Sequence, residues 1–248
     1  MPALRWADPR RRAGGAEPHD LLVSAMPGLI RVGHRGAAAI APANTLESFD
    51  AALAVGVDMI EFDVLPSRDG RELYVAHDYG ALARSGSLLL TDALAHMSTA
   101  PYAGVRLQLD IKRAGLEERV LAALDGAGAR ERAFISTGLW RTLERFRALA
   151  PALALGWTVP EIPELLMHPP VSSLYRELLP QRAAARIRAG AIDALVPRWS
   201  VVTASLVDAV RGAGGEIYAW TVDDGAEIAR LAELGVTGVI TNDPRLFA

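Results

Sequence analysis

Polar residues able to do chemistry recur where short apolar runs come to an end. RVGHRG puts His34, Arg35 and Gly36 in a row, IEFDV sets Glu61 and Asp63 two apart, VAHD brings His77 and Asp78, and LQLDIK sets Asp110 and Lys112 two apart. Side chains alternate faces along an extended chain. Glu61 and Asp63 therefore share one face, against Ile60, Phe62 and Val64 on the other. Asp110 and Lys112 share a face in the same way, opposite Leu109 and Ile111. An acidic pair on an inward face is costly unless something compensates it. Three converging carboxylates suit a hard divalent cation, Mg²⁺ or Ca²⁺. Zinc fits less well, because the chain has no cysteine and no HExxH spacing. Two histidines flanking such a group suit proton transfer, since imidazole titrates near neutral pH. Arg35 and Lys112 add fixed positive charge of the kind that neutralises a phosphate and the charge building on it. Gly36 is expected to let the backbone turn close to a ligand.

These residues need strands to carry them. Strand-like runs fall at residues 29–34, 58–64, 105–112, 133–137, 152–159, 191–197, 216–222 and 236–241, with an extra one at 72–78 appended to the second as a hairpin. Helical patterns of about ten to fifteen residues separate most of them, as in TLESFDAALAVG and GAEIARLAELG. Asn44 or Thr45 is a plausible N-cap for the first, with Gly56 as its stop. Eight strand–helix units point to a closed (β/α)8 barrel of TIM type, in which strand C-termini line the active-site mouth. An open doubly wound sheet is the alternative, and the strand count disfavours it. Residues 160–190 carry helical patches interrupted by prolines and are not placed by this pattern.

The 248 residues carry a net charge of −3, with 51% hydrophobic residues. That length and composition allow one domain with a large core. The charge balance gives no footing for a nucleic-acid partner, and no apolar run reaches membrane-spanning length. Residues 1–28 read as an extension, with Met26 an alternative start, and 29–248 as the barrel domain. The arginine cluster at 10–12 lacks the apolar segment of a signal peptide. With cysteine absent, this leads to the expectation of a cytoplasmic protein. The oligomeric state is not legible.

GHRGAAAIAPANTLESF, IEFDVLPSRDGRELYVAHD, LQLDIK and IYAWTVDDGAEIARLAELGVTGVITNDP resemble, in order, the motifs of the glycerophosphodiester phosphodiesterase family. The resemblance implies a TIM-type barrel that uses a divalent metal to hydrolyse glycerophosphodiesters to glycerol 3-phosphate and an alcohol, a small-molecule reaction. It implies His34 and His77 as the acid/base pair, and Glu61, Asp63 and Asp110 as metal ligands. Arg35 and Lys112 would contact the phosphate, and Trp220 would line the substrate pocket. Three departures stand out. Asp110 replaces the usual Glu, Asp223 replaces the usual Asn after W-T-V, and the family insertion between the His-Asp strand and the acid-x-Lys strand is short. The short insertion leaves open a lysophospholipase D-type activity on lysophospholipids. A barrel that binds phosphodiesters without turning them over is the rival from another class. Asp78 is expected to orient or cap, and Asn44 to cap and also to reach the metal or phosphate. Trp140, Trp157 and Trp199 are read as packing residues, and His19, His96 and His168 as surface residues.

Overall fold

Apolar residues at every second position pair strand to strand and bury both faces of the sheet. The computed structural model describes residues 28–86, 88–159 and 171–248. Its strands are β1 (Ile30–Gly33), β2 (Met59–Pro66), β3 (Leu73–Val75), β4 (Arg106–Ile111), β5 (Ala133–Thr137), β6 (Ala154–Thr158), β7 (Ala194–Val196), β8 (Glu216–Ala219) and β9 (Gly238–Thr241). All except β3 pair in parallel. β1 pairs with β2 through Val32↔Met59 and with β9 through Ile30↔Gly238, which closes the ring. β3 lies antiparallel on β2, with Val64 opposite Val75. Eight parallel strands thus form the (β/α)8 barrel expected from the spacing of apolar runs, and β3 is the appended hairpin strand.

The helices are α1 (Leu46–Val55), α2 (Tyr79–Ser85), α3 (Leu90–His96), α4 (Glu117–Gly126), α5 (Trp140–Leu149), α6 (Val171–Arg188), α7 (Ala204–Gly212) and α8 (Gly225–Leu234). The segment between β3 and β4 is short but not empty. It holds α2 and α3, and α3 buries Leu90, Ala93 and Leu94, serving as the crossover helix toward β4. Residues 1–27 and 160–170 lie outside the described residues, and with them the expected extension, His19 and His168. The proline-broken pattern at 171–188 is the single helix α6, with Pro180 inside it; a proline in a helix interior is what hid it from the sequence pattern. Among the described residues no helix is long and apolar enough to cross a membrane.

Two apolar clusters follow from strand alternation. The outward residues Ile60, Phe62 and Val64 join the shell between barrel and helices. The inward cluster of Val32, Met59, Phe134, Ala194, Val196, Tyr218 and Ile240 fills the lumen. Above Met59, the same face of β2 turns acidic at Glu61 and Asp63. The apolar plug therefore supports the site from below.

The loop from β1 to α1 is tightly set. Thr45 is the N-cap of α1 and forms a capping box with Ser48, satisfying helix N–H groups that would otherwise be unpaired. Asn44, the alternative cap, instead turns into the barrel. Gly36 has φ +86, and an added Cβ there would meet Ser48 backbone carbon and oxygen at 2.6 Å. Its role is thus to let α1 approach, rather than to make room for a ligand. Gly56 has nearly the same φ, +85, but open space around it. Replacing glycine at positive φ costs about 1 kcal/mol, and backbone crowding adds to that. Urea unfolding should therefore show Gly36→Ala less stable than Gly56→Ala by about 2 kcal/mol or more. Equal losses would show that α1 does not press on Gly36.

Candidate active site

The mouth of the barrel is assembled from strand ends. Of the residues singled out by type and spacing, His34, Arg35, Glu61, His77, Asp110, Lys112 and Trp220 line one cavity of about 140 Å³. Asp63 is fully buried, its side chain 0% exposed. Lys112 Nζ stands 2.7 Å from its Oδ1, and Arg35 Nε 3.1 Å from its Oδ2. Both are ion-pair contacts. Asn44 supplies the hydrogen bonds: its Nδ2 donates to Asp63 Oδ2 at 2.8 Å, and its Oδ1 accepts from Asp63 N at 3.2 Å. Asn44, expected to cap and also to reach the metal or phosphate, thus holds an acidic residue of the mouth. Burial opposes the charge on Asp63, but Lys112 and Arg35 outweigh it and keep the carboxyl below its ordinary range.

Asp110 is held differently. Its Oδ1 accepts from Ser136 Oγ at 2.8 Å and from Thr158 Oγ1 at 3.1 Å, while Oδ2 accepts from Lys112 Nζ at 2.5 Å. Gln108, one inward position below, donates to Ser136 Oγ at 3.0 Å. Lys112 therefore bridges two carboxylates, and burial is outweighed by Asp110, Asp63 and Glu61 in pushing its ammonium above the usual lysine range. Glu61 has no arginine or lysine ion-pair contact among the described residues; its Oε2 accepts from Arg35 N at 2.9 Å. Burial first, then the charges of Asp63 and Asp110, raise its carboxyl well above normal.

The two histidines differ. His34 is mostly buried, and its Nε2 lies 3.8 Å from Glu61 Oε2. Its other nitrogen, Nδ1, is 2.6 Å from Asn242 Oδ1. Burial, aided by the Arg35 charge and opposed by the Asn242 hydrogen bond, lowers it to about 4. His77 is 43% exposed, with Nδ1 3.0 Å from Asp78 Oδ2. Asp78 Oδ1 accepts from Ala81 N at 2.7 Å, so Asp78 both orients His77 and caps α2. The hydrogen bond with His77, then that from Ala81, lowers the Asp78 carboxyl to about 2.

Trp220 follows β8, and its Nε1 donates to Val196 O at 2.8 Å, which pins the ring beside the cavity. Trp140 and Trp157 both stack on Arg186, with its guanidinium 3.7 and 4.3 Å from their ring centres, and so pack as expected. Trp199 is likewise packed against the core. His96, expected at the surface, is half-buried: its Nε2 is 2.8 Å from Asp50 Oδ1, and its ring meets Tyr102 edge-on. Sequence reasoning missed Ser136, Thr158, Gln108 and Asn242. Ser136, Thr158 and Asn242 did carry a signal, as polar residues near or just beyond a strand's C-terminal end on the inward register, and Gln108 is an inward polar residue in the middle of β4.

Glu61, Asp63 and Asp110 each offer an oxygen, and these oxygens lie within 4.8 Å of one another. This donor set fits a hard divalent cation, with oxygen ligands and no nitrogen or sulfur. It also answers the one carboxylate that Arg35 and Lys112 leave without an ion pair. A bound dication would compete with Lys112 for Asp63 and Asp110.

The low value for His34 fixes a sign. A buried imidazole that titrates near 4 when folded, but near 6.5 when unfolded, stabilises the fold above 6.5 and loses that contribution as pH falls toward 4. NMR titration of metal-free protein should find His34 neutral at pH 6. His34→Asn should remove part of the acid-side loss of stability, on the order of 3 kcal/mol. A His34 midpoint above pH 6 would contradict this.

Several known proteins share this arrangement of chain. The glycerophosphoryl diester phosphodiesterase family model matches residues 34–93 and 95–246. A glycerophosphodiester phosphodiesterase of Caldanaerobacter subterraneus is 25% identical over 86% of this chain and 93% of its own. Among solved structures, a glycerophosphodiester phosphodiesterase of Parabacteroides distasonis superposes with a TM-score of 0.69 at 18% identity, over 89% of this chain and 95% of its own. A phosphodiesterase of Oleispira antarctica, solved with the product sn-glycerol-3-phosphate, superposes with a TM-score of 0.66 at 23% identity, over 90% and 95%. With most of its barrel matched, including the strand ends that carry both imidazoles and all three carboxylates, the chain belongs to the glycerophosphoryl diester phosphodiesterase family, a family of hydrolases.

Proposed function

We propose that this enzyme hydrolyses glycerophosphodiesters to glycerol 3-phosphate and an alcohol. A divalent cation, Mg²⁺ or Ca²⁺, would be held by Glu61, Asp63 and Asp110, and His34 and His77 would transfer protons. The observation that carries this reading is the single cavity, which brings two imidazoles and two cationic side chains around a trio of hard oxygen donors. The glycerol 3-phosphate bound by the Oleispira antarctica relative supports the choice of substrate.

When bound, the cation supplies Lewis-acid polarisation of a phosphoryl oxygen and offsets developing negative charge. Arg35 and Lys112 add fixed charge at the same mouth. His34 is neutral near physiological pH, so its Nε2 can accept the proton of the glycerol hydroxyl next to the ester. That oxygen attacks phosphorus and closes a cyclic phosphate. The bond to the alcohol breaks, and His77 gives the leaving oxygen its proton. The Asp78 carboxylate, 3.0 Å from His77 Nδ1, holds the ring in place for this step. Water then opens the ring with the roles reversed: His77 takes a proton from water, and His34 returns one to the ring oxygen. Trp220 forms a wall for the bound diester.

General acid–base groups contribute roughly 10²–10⁴-fold. His34→Ala and His77→Ala should each lower kcat on glycerophosphocholine by that much, with circular dichroism unchanged. Chelation should silence the wild type, and Mg²⁺ or Ca²⁺ should restore it. Calorimetry should show that Glu61→Gln binds the restoring ion at least tenfold more weakly. Full turnover by both histidine variants, or by chelated wild type, would defeat the proposal.

A further inference from the structure

His34 leaves the end of β1 and Asn242 follows β9, and closure of the barrel sets them side by side. The backbone secures the junction: His34 N donates to Thr241 O at 2.8 Å, and Ala39 N to Asn242 O at 3.0 Å. Asn242 Oδ1 then lies 2.6 Å from His34 Nδ1. An amide has a donor end and an acceptor end. Whichever end faces the ring decides which ring nitrogen keeps the proton.

Asp223 makes that decision. Its Oδ2 accepts from Asn242 Nδ2 at 2.6 Å, and its Oδ1 accepts from Asn242 N at 2.8 Å and from Thr241 Oγ1 at 3.0 Å. Turning the amide over would press its oxygen against the Asp223 carboxylate, two acceptors with no proton between them. The carbonyl end therefore faces His34, and Nδ1 must be the donor. The lone pair is left on Nε2, the nitrogen on the Glu61 side of the ring.

We propose that Asp223 and Asn242 are positioning residues for His34. Asp223 fixes the direction of the Asn242 amide, and the amide fixes the tautomer of the ring, so that Nε2 is presented as the proton acceptor. Neither residue lines the cavity, so each acts through His34. A carboxylate placed directly on Nδ1 would bring its charge to the ring. Here a neutral amide stands between, and the carboxylate charge is used to hold the amide. This rests on the reading of His34 as the group that first accepts the proton.

The test combines kinetics with nitrogen-15 NMR of the His34 ring. Wild-type protein should show the Nδ1–H tautomer. Asn242→Ala should lower kcat on glycerophosphocholine roughly 10–100-fold with KM within about twofold, and should release the ring to a mixture of tautomers. Asn242→Asp alone sets two carboxylates face to face and should lose activity similarly. Combining Asp223→Asn with Asn242→Asp rebuilds an acceptor toward His34 and an amide donor behind it, and should recover at least about threefold of the kcat that Asn242→Asp alone loses, short of full rescue because a charge now sits on Nδ1. The proposal is overturned by an Nε2–H tautomer in wild-type protein, a reading that needs no variant to fold. It is also overturned by a folded Asn242→Ala enzyme with unchanged kcat, or by a folded double variant that recovers nothing. Wild-type protein that turns over no diester at all would instead remove the proposed function, and the tautomer measurement would still judge the relay.

Discussion

The charge on Asp63 is the constraint around which the barrel mouth is organised. A carboxylate with no exposed side-chain surface has no water to solvate it, so the protein must do so. Arg35 and Asn44 come from the two ends of the loop between β1 and α1, and Lys112 from the residue after β4. Both ends of that loop and the end of β4 are thus tied to one residue of β2. Losing one partner of such a buried pair typically costs about 3–5 kcal/mol, so this one carboxylate ties the β1–α1 loop to the barrel. Arg35 and Asn44 hold positive φ angles of 52° and 62°, a strained backbone that persists only where surrounding contacts enforce it. Asn44 N donates to Arg35 O at 3.0 Å and closes the bracket between them.

The acidic trio is not uniform. Asp63 is paired with cations, Asp110 shares Lys112 and takes two hydroxyls, and Glu61 has backbone support only. Asp110 is one methylene shorter than the Glu usual in the family. Ser136 and Thr158, on the next two strands, fix where its shorter arm points. The imbalance leaves Glu61 as the group that gains most from an added positive charge.

Much of this was legible in the residues alone. Two-residue alternation put Glu61 beside Asp63 and Asp110 beside Lys112 on inward faces, and eight apolar runs separated by helical patterns implied a closed barrel. Contacts between distant strands were not legible. Period two names a face but not a neighbour, so Ser136 and Thr158 could not be matched to Asp110. Asp223 stood out only as a departure from the family pattern, because its partner Asn242 is 19 positions away. Asn44 looked like a helix cap because Asn and Thr are both good caps, and only the three-dimensional turn shows Thr45 taking that role. α6 was obscured because Pro180 breaks the pattern by which helices are recognised.

β1 closes against β9, and His34 meets Asn242 across that seam. Of the described barrel strands, β1, the earliest in the chain, thus waits for β9. A nascent chain ending short of residue 242 has Glu61, Asp63, Asp110, His34 and His77 in hand, yet neither a sealed ring nor the amide opposite His34. The seam that orients His34 therefore forms only once β9 is in place.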